Sequence, residues 1–181
     1  MHAQILGTRH EHWSDETDCA ARAHALAHAL DQAPAGSAPL RDVCIELQGP
    51  LGAGKTTFTR HLLRALGVAG RIKSPSYAVV EPHNWRGADG QPRQAFHFDF
   101  YRFGDPREWE DAGFREVFAG PGLKLVEWAE NAGDARPQPD LVIAIETDPD
   151  PDRESARRVL HTAHTERGRA LLERGCAPLR L

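Results

Sequence analysis

The chain has 181 residues, 40% of them hydrophobic and 27% charged, with a formal net charge of −4; that fits one domain with one core and leaves no domain-wide electrostatic footprint for nucleic acid. Three scattered cysteines (Cys19, Cys44, Cys176) argue against a disulfide framework or a thiolate zinc site. No apolar run approaches the roughly 18–20 residues that span a bilayer, and Met1–His12 lacks the apolar stretch of a signal peptide, so the expectation is a single cytoplasmic domain over 1–181 with no membrane partner.

In chain order, Ala3–Thr8 reads as a strand, followed by a helix over Asp15–Leu30 with Ser14 as its N-cap and Asp15 and Glu16 in the first turn. Ala20, Ala23, Ala27 and Leu30 give that helix a narrow face of small residues. Asp31–Pro39 is a loop, and Asp42–Leu47 a short strand running into a Gly-Pro-Leu-Gly turn. A helix follows over Lys55–Leu66, stopped by Gly67. Ser76–Glu81 and Gln94–Tyr101 are strand-like runs around a hairpin connection in Asn84–Pro92. The second run alternates, with Phe96, Phe98 and Phe100 on one side and His97, Asp99 and Tyr101 on the other. Asp105-Pro106-Arg107-Glu108 opens a further helix. Leu123–Val126 is an apolar strand ending at Glu127, Leu141–Ile145 and Arg158–Ala163 are strands, and Glu166–Arg174 is a closing helix. The alternation predicts an α/β class: a P-loop-NTPase-like, predominantly parallel central sheet with antiparallel additions, flanked by helices.

Gly49-Pro50-Leu51-Gly52-Ala53-Gly54-Lys55-Thr56 satisfies G-x-x-x-x-G-K-[ST]. The glycines allow the backbone to wrap close to phosphate oxygens with its N–H groups inward, and the following helix aims its positive end at the same anion. The candidate nucleotide-binding set is Gly49, Leu51, Gly52, Ala53, Gly54, Lys55, Thr56 and Thr57. Lys55 adds a point charge for the β- and γ-phosphates, and the Thr56 hydroxyl can ligate Mg²⁺. Only 3 of the 22 basic residues are lysines, and one stands here. From this composition the motif arises by chance in roughly two such chains per thousand.

A metal also needs an acid. Glu127 closes an apolar strand, where a Walker B carboxylate sits beside a phosphate loop. Asp99 is the second candidate, a carboxylate on the polar side of an aromatic strand, able to hold a metal-bound water or to position an attacking one. At these residues the chain resembles the TsaE family, formerly YjeE: G-P-L-G-A-G-K-T-T at Gly49–Thr57, K-S-P-S-Y at Lys73–Tyr77, H-F-D-F-Y-R at His97–Arg102 and L-V-E-W at Leu125–Trp128. The four blocks keep family order and span about residues 45–130. The resemblance implies a small bacterial ATPase needed to make threonylcarbamoyladenosine in tRNA. It makes Lys55 and Asp99 catalytic, Thr56 and Glu127 (with Asp99) Mg²⁺-binding, and Ser74, Ser76 and Tyr77 part of a switch-like loop. ATP and Mg²⁺ are the implied cofactors, and TsaD and TsaB the implied partners, with tRNA met through that complex. Three positions depart from the pattern: Pro50, where an acidic residue is common, Ser76 for the usual Thr, and Ala129 where Pro often follows the Trp. Ser76 keeps a hydroxyl, whereas Pro50 offers no N–H to a phosphate.

Other features are weighed against this reading. Among the ten histidines, His24 and His28 lack the H-E-x-x-H frame, His10 and His12 stand near a terminus, and His161 and His164 lack a third ligand, so solvated or capping roles are expected. Asn131 and Asp134 have an N-x-x-D spacing but not the lysine of guanine recognition, which favours ATP. Trp128 either packs near the nucleotide or closes the core. Arg157, Arg158, Arg167, Arg169 and Arg174 form a basic tail, either solvated or touching tRNA or an acidic partner. Ser14 to Thr17 (Ser14 and Thr17 above all) and the Ala163–Gly168 loop are candidates for the adenine edge. Two other functions fit the same loop: a small-molecule kinase with Asp99 as base, and a nucleotide-gated binding module with negligible hydrolysis of its own.

Overall fold

The computed structural model describes residues 4–32, 40, 42–105, 109, 113–133 and 136–177. The elements are β1 (Gly7–Trp13), α1 (Glu16–Asp31), β2 (Cys44–Gln48), α2 (Lys55–Ala65), β3 (Val80–Arg86), β4 (Pro92–Asp99), α3 (Phe114–Ala119), β5 (Leu123–Glu127), β6 (Leu141–Thr147), β7 (Arg157–Ala163) and α4 (Glu166–Gly175), with 3-10 turns at Ala129–Ala132 and Pro151–Arg153. The strands form one seven-stranded sheet in the order β1-β7-β6-β2-β5-β4-β3. The class is α/β, but the sheet is mixed rather than predominantly parallel. Pairings β6–β2, β2–β5 and β5–β4 are parallel, and β1–β7, β7–β6 and β4–β3 antiparallel. The short connections β3–β4 and β6–β7 permit only antiparallel return strands, and β1 adds antiparallel to β7 from the far end of the chain, a long-range pairing that hydropathy alone does not distinguish.

Period-2 alternation sorts the residues of the sheet. Ile45 and Leu47, Leu123 and Leu125, and Ile143 and Ile145 join Ala23, Leu26, Phe58, Leu62, Leu63 and Leu171 in the main core beneath α1, α2 and α4. Their neighbours in sequence face the other side, where Phe98, Phe100, Trp109, Phe114 and Val126 make a smaller aromatic cluster. Glu127, His97 and Asp99 have the parity of Leu125 and Ala95, so they lie on the helix side, under the start of α2.

Several boundaries move. The first strand is Gly7–Trp13, not Ala3–Thr8. Its inward side chains include Glu11, which is held by Arg22 and His161, so a half-buried ion pair replaces the expected apolar alternation. Asp15, not Ser14, caps α1, its carboxylate accepting from Thr17 N at 2.7 Å, a cap worth about 1 kcal/mol. The buried face of α1 is wider than the small-residue stripe and includes Cys19, Arg22 and Leu26. Residues 76–79 are not a strand; β3 begins at Val80. Val79 has φ 65°, a left-handed conformation costly for a β-branched residue, and its N–H closes a turn onto Pro75 O at 2.6 Å. The Asp31–Pro39 loop and the helix opened by Asp105-Pro106-Arg107-Glu108 fall largely outside the described residues. Among the described residues no helix is long and apolar enough to cross a membrane.

Candidate nucleotide site

The site lies where the parallel strands end. Leu47 pairs with Glu127, and Glu127 with Asp99, so the exit of β2 and both candidate carboxylates share one edge of the sheet. In sheets of this kind ligands gather outside the carboxyl ends of the strands. The loop 49–54 leaves β2 and feeds α2. Gly49 has φ 139°, and a Cβ there would lie 2.2 Å from Ile145 O, so the loop can sit this low on β6 only without a side chain. Gly54 is the N-cap of α2 in the left-handed region, with no side-chain cap. The first N–H groups of the helix therefore have no side chain to accept them.

Side chains from α2, β4 and β5 converge beside this loop. The Lys55 ammonium donates to Gly49 O at 2.5 Å and Pro50 O at 2.9 Å, and lies 3.9 Å from the centre of the Trp128 ring. Burial pulls its pKa below the ordinary lysine value, against the opposing pull of Glu127, Glu130 and Asp99. The Thr56 hydroxyl donates to Glu127 Oε2 at 2.9 Å, and His97 Nε2 lies 2.8 Å from Glu127 Oε1. Asp99 is 4% exposed. Its Oδ1 accepts from Tyr101 N at 3.0 Å, and its Oδ2 from Ser74 and, at 3.3 Å, from Ser76. The serines are 2.6 Å apart, so the 74–77 loop is tied to the carboxylate through both hydroxyls. Tyr77 is 86% exposed, with Arg102 over its ring at 4.2 Å.

Lys55, Thr56, Ser74, Ser76, Asp99, Glu127 and Trp128 line a cleft of ≈ 360 Å³ that also takes in Leu51, Tyr101 and Arg102. A smaller one of ≈ 140 Å³ lies across the loop, between Asp15, Glu16 and Cys19 on one side and Ser155 and Arg157 on the other. Gly52, Gly54 and Thr57 wall both. A depression of ≈ 390 Å³ around Trp85 and Arg93, and another of ≈ 530 Å³ on β1, β7 and β6, offer more room but no comparable chemistry.

The donor set suits a polyphosphate with a hard cation. An uncapped helix start and a lysine resting on its own loop carbonyls are ready to exchange those contacts for anionic oxygens. A hydroxyl bonded to a carboxylate matches the one or two protein oxygens that Mg²⁺ takes beside phosphates and water. Among the described residues no group of three His, Cys, Asp or Glu is placed to hold a metal without such help.

A sequence model described as "Threonylcarbamoyl adenosine biosynthesis protein TsaE" matches residues 13–158. The chain belongs to the TsaE family. The Haemophilus influenzae protein named tRNA threonylcarbamoyladenosine biosynthesis protein TsaE is 36% identical over 130 residues, 72% of this chain and 76% of that protein. The Bacillus subtilis protein of the same name is 40% identical over 110 residues, 61% of this chain and 65% of that protein. The crystal structure of Bacillus subtilis YdiB superposes with a TM-score of 0.70 at 25% identity, covering 96% of this chain and 97% of that one.

In this family member the fold brings together Lys55, Thr56, Ser74, Ser76, Asp99 and Glu127, drawn from all four sequence blocks. Gly49 and Ala53 sit lower in the loop, Gly49 against β6. Of the adenine-edge candidates, Ser14 accepts a bond from Ser155 through its carbonyl at 3.2 Å and Thr17 is spent on the α1 cap, while Asp15 and Glu16 between them line the smaller cleft. The 163–168 loop instead packs on Asp140, whose carbonyl would be 1.8 Å from a Cβ at Gly168. Asn131 donates its amide to Phe100 O at 3.1 Å, and Asp134 lies outside the described residues.

Arg157 is not part of a solvated tail. Its Nε donates to Ala53 O at 2.9 Å, bracing the loop from β7. Arg158, Arg167 and Arg169 pair with acids of the same chain. His161, expected to be solvated, is fully buried between Glu11 and Cys176. The alternation of β4 that faces Asp99 toward the site faces His97 there as well, a signal readable from spacing alone.

Proposed function

We propose that the chain is a cytoplasmic, Mg²⁺-dependent ATPase of the P-loop NTPase type. Its hydrolysis serves the threonylcarbamoyladenosine modification of tRNA, by acting on a TsaD–TsaB complex rather than by transferring the group itself. The observation that carries the reading is the bond from Thr56 to Glu127, formed beside the Lys55 ammonium at the uncapped start of α2. The modification pathway comes from family membership and from the names of the relatives.

On this reading Lys55 leaves the Gly49 and Pro50 carbonyls for the β- and γ-phosphates, and Thr56 and Glu127 hold Mg²⁺. The metal, when bound, neutralises charge that develops on the phosphate oxygens. The loop N–H groups and the start of α2 hold the phosphates, and the base takes the smaller cleft beside Asp15 and Arg157. Asp99 orients a water for in-line attack on the γ-phosphorus: a bond from the water oxygen to phosphorus forms, the P–O bond to ADP breaks, ADP leaves as the anion, and the water's proton passes to Asp99 and on to the released phosphate. Oδ2 becomes free for that water only if Asp99 releases Ser74 and Ser76, which occupy it. That engagement also favours a second reading, a nucleotide-gated module that hydrolyses slowly until a partner moves the 74–77 loop. The exposed rim of Leu51, Tyr77 and Tyr101 is where such a partner has apolar surface to cover.

The deciding experiment compares ATP binding and turnover by the wild type and Lys55→Ala, alone and with TsaD, TsaB and tRNA. The reading expects binding to be lost in Lys55→Ala, and turnover and tRNA modification with it. Near-normal turnover in a folded Lys55→Ala protein overturns it. Phosphoryl transfer to an added small acceptor would identify a kinase instead.

A further inference from the structure

His97 is fully buried, at 0% exposure, on the helix side of β4, two residues before Asp99. An imidazole in a core costs free energy unless it is bonded, and an apolar residue there would pack without that cost. Its one hydrogen bond among the described residues is Nε2 to Glu127 Oε1 at 2.8 Å, while Nδ1 has no partner among them. An ionised carboxylate only accepts, so the proton of that bond belongs to Nε2. Glu127 is thus gripped from both sides, with His97 on Oε1 and Thr56 on Oε2. Thr56 opens α2 and borders the loop, whereas His97 stands behind the carboxylate, away from the cleft that Thr56 and Glu127 line.

Building on the Mg²⁺–ATPase reading, we propose that His97 is a positioning residue for Glu127: its Nε2–H occupies Oε1, fixes the rotation of the carboxylate and leaves Oε2, on the Thr56 side, for the metal. The chemistry is that of outer-shell groups at metal sites, where a ligand is oriented by a hydrogen bond to its other face. The ring does not touch the nucleotide. It sets how the carboxylate is presented, so it acts on the Mg²⁺-dependent part of binding and not on the loop's grip on phosphate.

The test measures ADP affinity by calorimetry, with and without Mg²⁺, for the wild type, His97→Leu and His97→Gln. Leu fills the space without a donor, and the Gln amide puts an N–H near the Nε2 position. The expected result is that His97→Leu keeps its Mg²⁺-free ADP affinity within about twofold and loses about tenfold or more of the tightening by Mg²⁺, the usual loss for an outer-shell partner. His97→Gln recovers most of it. A His97→Leu protein with the full wild-type response to Mg²⁺ overturns the positioning role alone. A wild type indifferent to Mg²⁺ removes the ATPase reading and this one with it, so the two failures are distinguishable. A second measurement needs no variant: imidazole ¹⁵N spectra of the wild type are expected to show a proton on His97 Nε2. A bare Nε2 overturns the proposal.

Discussion

Arg157 Nε donates to the Ala53 carbonyl at 2.9 Å, joining the first residue of β7 to a loop 104 positions earlier in the chain. The same guanidinium also bonds Glu154 O and Ala156 O through Nη1, at 2.9 and 2.8 Å. Three carbonyls thus hold the charge in place, and the charge holds the phosphate loop at the wall between the two clefts.

Removing this brace costs one charge-assisted hydrogen bond, about 1.5–3 kcal/mol where it is lost outright. Arg157→Ala is expected to weaken ATP binding roughly tenfold by loosening the loop, with a fold that remains intact by circular dichroism. Arg157→Lys restores charge but not the forked geometry and recovers only part of the affinity. Unchanged binding by titration calorimetry in Arg157→Ala would assign the residue to the surface.

Asp99→Asn keeps size and hydrogen bonding but removes the charge. On the ATPase reading nucleotide binding persists while turnover falls by something like 10²–10⁴-fold, the range of a positioned acid–base group. If Asp99 serves only to tie down Ser74 and Ser76, turnover stays near normal and the melting temperature drops instead. Measuring both in one preparation separates the outcomes. Full, multiple-turnover tRNA modification by a hydrolysis-dead Asp99→Asn protein would promote the nucleotide-gated module.

Glu11 gives the fold an acid-dependent tie. Burial pushes its carboxyl up, but the bond and charge of His161, the Trp13 indole and the charge of Arg22 outweigh it and hold the pKa at about 2, against 4.5 for the free side chain. Arg22 pairs with Glu11 at 2.5 Å and also donates to Gly175 O at 2.6 Å, so one network joins β1, α1 and the end of α4. The unfolded chain takes up this proton first as pH falls. The contribution is therefore fully present above about 4.5 and is lost between 4.5 and about 2. Glu11→Gln should melt lower than the wild type at pH 7, with the gap closing across that acid window. A gap that stays constant from pH 7 to pH 2 would contradict this.

The phosphate loop, its helix and the two strand-end carboxylates were legible in the amino-acid sequence because their signals are local. A glycine-rich turn, the helix that follows it and an apolar strand closed by an acid each occupy a few consecutive residues. Parity along β4 even placed Asp99 opposite the phenylalanines that fill the second core cluster. What lay beyond reach was whatever depends on residues distant in the chain. The sheet became mixed because its edges close with antiparallel returns, and β1 was misplaced because its inward positions are satisfied by Arg22 and His161 rather than by apolar neighbours. The same cause hid Arg157, whose polarity suggested solvent until the register of β7 put it against Ala53. His97 differs in kind: its parity was visible, but a buried imidazole acquires a role only from what its nitrogen meets. Only the pairing of β4 with β5 decided that this is Glu127. Local patterning sets which chemistry a segment can offer, and the strand register, a long-range property, decides which groups stand within a hydrogen bond of one another.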